Sequence, residues 1–214
     1  KDTKVAEWAA AELRKNHRRP FFIGCGIFRP HLPWYVPRRY FEMFPPQKVT
    51  LPKVNERDLE DVPPIPRKWA HPEVHEKIMK YGKWREGVAA YLACGAYADA
   101  CIGRVLRALE ESPWRENTVV VFWCDHGWHL AEKLHWKKFT LWEESTRTPF
   151  IIVAPGVTTA STRCPRTVSL LDIYPTLIEL CSLPPKKGLE GMSLVPYLKN
   201  PQLPRERPAL TTFL

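Results

Sequence analysis

The sequence predicts an α/β fold with a mainly parallel sheet and helices on both faces. Three observations point there: apolar runs at 21–27 and 118–124, a long helical pattern over 73–111 between them, and a third apolar run at 150–154. Strand, long helix, strand is the βαβ arrangement, whose strands lie parallel and whose crossover is right-handed.

Taken in order, residues 3–16 place Val5, Trp8, Ala9 and Leu13 on one helical face, with charges elsewhere, and Arg18, Arg19 and Pro20 stop that helix. The run 21–27 has too little polar alternation for a half-exposed strand, so burial on both faces is expected. Residues 73–111 form a helical pattern broken or kinked near Gly82 and Gly87. Its second part lines Val88, Leu92, Gly95, Ala96, Ile102, Gly103, Leu106 and Leu109 along one stripe, whose small residues admit close approach to a sheet. Asp99 falls within that stripe and is expected as a buried, hydrogen-bonded acceptor. A last helix is expected over 167–182, from Leu170, Leu171, Tyr174, Leu177, Ile178 and Cys181 at helical spacing.

Composition narrows the function classes. With 214 residues, 44% of them hydrophobic, the chain can bury an ordinary core, which sets aside disorder. Twenty-two prolines cluster around 28–72 and 184–208, where long ordered loops or linkers are expected. A net charge of +9 favours anionic partners such as phosphate or sulfate esters. The charges are spread along the chain and no nucleic-acid motif accompanies them, so no nucleic-acid partner is expected. No apolar run approaches the roughly 20 residues of a membrane span, and no membrane partner is expected. Six cysteines show no C-x-x-C or zinc-finger spacing and are expected to be mostly buried small residues. On one helix Cys94 and Cys101 would stand roughly 10 Å apart, too far for a disulfide.

In doubly wound folds ligands bind beyond the carboxyl ends of the strands. His31 follows the first run, and Asp125, His126, Gly127 and Trp128 follow the second. Were the two runs parallel neighbours, His31 and the Asp125–His126 pair would converge on one crevice. A carboxylate and an imidazole side by side can share a divalent ion, and Gly127 lets the backbone turn sharply after them. Lys138 could offer a cation to an anionic substrate oxygen. His129 and His135 make a zinc cluster conceivable but bring no thiolate and no H-E-x-x-H pattern, while His71 and His75 read as a solvated helix end. Trp34, Trp128 and Trp136 could stack on sugar faces.

These residues resemble the type I sulfatases of the alkaline phosphatase superfamily, and within them the iduronate-2-sulfatase-like branch. The resemblance runs from about 21 to 197 and is carried by 21–34, 97–106, 122–133, Thr148-Pro149-Phe150, 171–177 and 189–194. It implies a partial alkaline-phosphatase-like catalytic domain over 1–183. Residues 184–214 would then be a Pro-rich linker to a C-terminal subdomain lying mostly beyond this chain. The implied activity is sulfuric ester hydrolysis, acting on sulfated sugars, in a periplasmic, secreted or lysosomal setting. Residue by residue, Asp125 and His126 match metal ligands, with His126 where many arylsulfatases have Asn. His31 and Lys138 match catalytic positions that contact the sulfate group, with Trp128 beside them for the substrate. The metal in the family is usually calcium, although a histidine ligand by itself favours a softer ion.

The family's nucleophile is a formylglycine made from the first residue of C/S-x-P-S-R. No such segment occurs here, since Cys164-Pro165-Arg166 has the wrong spacing, and the paired aspartates that complete the metal site are also absent. Ala131 replaces a glycine common in its loop. Formylglycine is therefore expected in preceding sequence, where it would attack sulfur while a histidine, with His31 the candidate, assists the leaving alcohol. The chain by itself is expected to bind a divalent cation weakly and to turn nothing over. Two rival readings are a metal-dependent phosphatase or phosphonate monoesterase of the same superfamily, and a non-catalytic anion-binding module.

Overall fold

The computed structural model describes residues 1–212. In chain order come helices α1 (Asp2–Leu13), α2 (Arg38–Glu42), α3 (Pro64–Arg67), α4 (Pro72–Lys80) and α5 (Trp84–Glu110), then strand β1 (Val120–Trp123). The short strands β2 (His129–Leu130) and β3 (Trp136–Lys137) follow, with α6 (Glu143–Thr146), β4 (Phe150–Val153), α7 (Ile173–Leu180) and α8 (Val195–Lys199) completing the order. The chain divides into two compact units, Lys1–Glu116 with His129–Lys137, and Asn117–Trp128 with the chain from Lys138 onward.

The first unit is built on α5, whose 27 residues extend roughly 40 Å. Gly82, at a φ of +61°, separates it from α4 as expected, but Gly87 makes no break. Inside α5 a Cβ at Gly87 would lie 3.1 Å from the Trp136 ring, so the glycine is there for the indole. Helix α1 buries Ala6, Ala9, Ala10 and Leu13, with Ala93, Tyr97, Cys101 and Ala108 of α5 in the same core clusters. Alanine faces let two helix backbones approach closely. The expected face is therefore rotated, and Trp8 stands 54% exposed. The expected stripe on α5 is likewise shifted toward Ala89, Ala93, Cys94 and Ala98, Leu106 is exposed, and Asp99 is an exposed residue instead of a buried acceptor.

Residues 21–27 form no strand. Phe21 and Ile23 pack on one core cluster and Ile27 on another, while Phe22 is 85% exposed, so the segment is extended with one covered face. A strand exists only through its neighbour, and no ladder includes this segment among the described residues.

In the second unit β1 pairs with β4, from Val120 opposite Val153 to Trp123 opposite Phe150. The pairing is antiparallel, and so is that of β2 with β3 in the first unit. The fold is thus mixed α/β as expected, but its sheets are small and both ladders in the described residues run antiparallel where parallel strands were expected. The helix in the chain between β1 and β4, α6, has only four residues, shorter than the crossover that parallel neighbours require.

The helix expected over 167–182 is a 3-10 turn at Leu170–Asp172 followed by α7. Ser169 starts it: its hydroxyl accepts from the Leu171 N–H, and Asp172 Oδ2 accepts from the Ser169 N–H. The Pro-rich segment beyond is ordered against this element. Met192 N–H donates to Asp172 Oδ1 at 2.9 Å, Leu194 N–H to the Thr176 hydroxyl at 2.8 Å, and Arg205 Nη2 to Asp172 Oδ2 at 2.8 Å. All six cysteines are free. Cys94 and Cys101 are buried as expected, whereas Cys164 and Cys181 are exposed.

Candidate active site

Beyond β1 the chain turns at once. Cys124 N–H still donates to Pro149 O, at 3.3 Å, and two residues after Asp125 the Gly127 N–H donates to Ser145 O in α6 at 2.7 Å. A Cβ at position 127 would lie 2.0 Å from the Glu144 carbonyl oxygen, so only glycine fits the turn that presents Asp125 and His126. Gly127→Ala is expected to cost about 1–3 kcal/mol of stability and to shift the His126 imidazole resonances. A variant with the parent's melting temperature and spectrum would show that α6 gives way instead.

Asp125 extends a largely exposed carboxylate, and its Oδ2 stands 3.6 Å from His126 Nε2. His126 Nδ1 lies 2.8 Å from Gly127 O, a partner that can only accept, so the proton is assigned to Nδ1 and the Nε2 lone pair is left for a cation. Cys124 Sγ lies 3.1 Å from His126 O and 3.6 Å from Asp125 Oδ1. Burial pushes its thiol pKa up, which keeps it a protonated donor and not a thiolate. Asp125 and His126 therefore fit a divalent ion as two donors. Among the described residues no group of three or more His, Cys, Asp or Glu is placed to hold one, so no reaction step is routed through a metal here.

Lys138 Nζ lies 5.4 Å from the Trp128 ring centroid and 5.3 Å from that of Phe139. The backbone on either side is left-handed, with φ of 78° at Lys137 and 74° at Phe139. Asp125, His126, Trp128 and Lys138 all belong to the second unit and His31 to the first. The strand pairing on which their expected convergence rested is not formed. His31 Nδ1 lies 2.7 Å from Leu32 O, and the His31 carbonyl accepts from Arg29 Nη1 at 3.3 Å.

The other histidines are structural. His129 and His135 are buried, with Nδ1 on the carbonyls of Glu132 and Ala70 respectively. His71 is exposed, as a solvated helix end should be. His75 departs from that expectation: it is half-buried, its Nδ1 accepts from Trp136 Nε1 at 3.4 Å, and burial lowers its pKa. Trp136 itself is 5% exposed and packs on Gly87, which removes it from the candidate sugar-stacking residues. Sequence reasoning missed Cys124 and Phe139. Phe139 adjoins Lys138 in the chain, but its ring position depends on a left-handed backbone that no glycine announces.

Comparison with known proteins gives the following. The family model described as Sulfatase matches residues 1–183. A sulfatase of Formosa agariphila is 35% identical over 99% of this chain and 42% of its own length. Human iduronate 2-sulfatase is 27% identical over 89% of the chain and 39% of its own length. The chain thus spans about two fifths of the curated relatives it matches. Among solved structures, the phosphonate monoester hydrolase of Agrobacterium radiobacter aligns with a TM-score of 0.71 at 24% identity, over 91% of this chain and 41% of that one. BT4656, solved with D-glucosamine-2-N,6-O-disulfate, aligns with a TM-score of 0.70 at 21% identity, over 93% and 52%. At those identities the likeness is one of fold.

Proposed function

The chain belongs to the sulfatase family, and from that premise we propose that it is part of a sulfuric ester hydrolase acting on sulfated sugars. Residues 1–183, the span of the family match, form its share of the catalytic domain in this proposal, and 184–214 lead onward. Asp125 and His126 take two positions of a divalent metal site, with calcium the ion favoured by the family. Lys138 meets a sulfate oxygen, and Trp128 meets the sugar. A bound metal would supply charge stabilisation for the developing oxyanion. Among the chain's own residues, Lys138 offers a positive charge to the ester oxygens.

The observation that carries this reading is the Asp125–His126 pair, held 3.6 Å apart on a turn fixed by Gly127, with His126 Nε2 freed by the bond from Nδ1. Sulfated-sugar substrates are supported by the relatives' names, among them an ulvan-active sulfatase 29% identical over 96% of this chain. Phosphonate monoester hydrolases share the fold, which supports the phosphatase reading only loosely.

Two ligands are few for a cation that takes six to eight oxygens, so calcium, zinc and manganese should bind this chain with dissociation constants of about 10⁻⁴–10⁻³ M or weaker. Inorganic sulfate should bind through Lys138, and aryl sulfate should not be turned over, because C/S-x-P-S-R does not occur in the sequence. Calorimetric titration alongside a 4-nitrophenyl sulfate assay checks this. Micromolar metal binding that disappears in Asp125→Ala, or turnover that Lys138→Ala abolishes, would mean that the chain holds a complete site. In the longer enzyme, 4-nitrophenyl phosphate hydrolysed faster than the sulfate would favour the phosphatase reading.

A further inference from the structure

We propose that the apolar pocket between β1 and the turn leading into α7 seats an apolar side chain from a segment of the longer enzyme outside residues 1–214. This rests on the reading of the chain as part of a longer hydrolase. Every ladder residue of β1 and β4 is apolar, from Val120 to Trp123 and from Phe150 to Val153, and strands of that kind are ordinarily covered on both faces. The register sets Val120, Phe122, Ile151 and Val153 on one face and Val121, Trp123, Phe150 and Ile152 on the other. Each face leaves large side chains open, Ile151 and Val153 on the first and Trp123 on the second. A two-stranded sheet is marginal by itself, so further cover is expected.

On the Trp123 face the opening is a pocket of about 340 Å³, whose lining includes Leu171, Tyr174, Leu189, Glu190 and Gly191. Two of its walls are fixed to each other. A Cβ at position 191 would lie 2.1 Å from Leu171 O, so Gly191 lets the two segments touch, and Met192 N–H donates to Asp172 Oδ1 at 2.9 Å. The pocket is thereby formed before anything enters it, and an occupant has little of it to order. Leu171 and Tyr174 stand exposed beside Trp123, and large apolar side chains gathered at a surface mark a contact.

The chemistry of the lining selects the occupant. A site for a small ligand combines apolar walls with several converging polar groups. Here, among the described residues of the lining, Glu190 alone is charged, and its carboxylate would repel a sulfate ester. A neutral apolar side chain fits such walls better than a sulfated sugar does. More than half the length of the relatives lies outside the span they share with this chain, which is chain enough to supply the covering segment.

The test places a thiol beside the pocket. In this chain Leu171→Cys should react with a maleimide as fast as the exposed Cys181, both read by peptide mapping. In the longer enzyme the same thiol should react at least about tenfold more slowly. Leu171→Glu should leave the urea midpoint of this chain unchanged and lower that of the longer enzyme by about 1 M, because only there would the carboxylate be buried without a partner. Equal labelling rates in the two proteins, or equal midpoint shifts, would overturn the proposal. So would slow labelling in this chain alone, which would mean that residues 1–214 supply the cover or, where the rate falls with rising protein concentration, that a second copy does. Aryl sulfate turnover is measured on the same longer enzyme. No turnover with residue 171 protected sinks the sulfatase reading and supports the pocket assignment, and turnover with residue 171 reactive does the reverse.

Discussion

Asp172→Ala should destabilise the second unit by about 3–5 kcal/mol, read as a lower urea midpoint. The carboxylate and the Arg205 guanidinium are 3% and 6% exposed, in contact at 2.8 Å. Around Asp172 the Ser169 and Met192 N–H groups also donate, at 3.0 and 2.9 Å. Alanine would therefore strand a buried cation and two partly buried donors at once, and leaving such groups unpaired costs more than the pair contributes when intact. Arg205→Ala leaves the carboxylate with both backbone donors and should cost less. The double variant should cost less than the sum of the singles, because the second truncation removes the charge the first one orphaned. Equal single-variant costs that add in the double would show that the pair is not coupled.

Acid should weaken the first unit through His129. This imidazole has no exposed surface, and its Nδ1 is paired with Glu132 O at 3.1 Å. Its ring centroid is 4.9 Å from that of His135, which in turn has His71 at 6.3 Å. Burial, with the neighbouring His135 adding to it, pushes the His129 pKa from 6.5 down to about 4, against a partial pull upward from the Glu132 carbonyl. Between those values the unfolded chain binds a proton that the folded one refuses, so stability rises with pH across the window. Above pH 6.5 the contribution is fully present, and it is lost as pH falls toward 4, on the order of 3 kcal/mol in all. His129→Gln keeps a donor for the Glu132 carbonyl and does not titrate. Urea midpoints at pH 7 and pH 4.5 should therefore fall further in the parent than in this variant. Equal losses in both would place the acid sensitivity elsewhere.

Both of those effects sit in parts of the chain where the sequence is only partly readable. The apolar runs at 118–124 and 150–154 correctly announce β1 and β4, but strand direction is a property of the pairing and has no periodicity of its own. In 21–27 the alternation was in fact present: Phe21, Ile23, Cys25 and Ile27 alternate with the exposed Phe22, Gly24 and Gly26. Glycine counts as neither apolar nor polar in such a reading, so a one-sided pattern resembled a two-sided one. On α1 the large Trp8 draws attention, yet the packed side is the alanine side, because there contact is set by how near two backbones can come. Asp125 and His126 do stand just past β1, where the apolar run placed them. The orientation of Lys138 was not legible, since it depends on backbone handedness at Lys137 and Phe139, where nothing in residue type signals a positive φ.

The excursion His129–Lys137 carries a consequence for how this part of the chain can change length. Its first and last residues are opposite each other in the β2–β3 pairing, and the residues just outside it, Trp128 and Lys138, meet at 5.4 Å. The excursion is therefore a loop closed at its neck, while its nine residues belong to the first unit and the flanking chain to the second. Neither unit is a contiguous stretch of sequence, so no single cut separates them. A residue inserted near the neck would slip the β2–β3 register by one and turn each following side chain to the opposite face. Lys138 would turn with them, so length variation is expected to be tolerated at the far end of the excursion, around Lys133, and rejected at its neck.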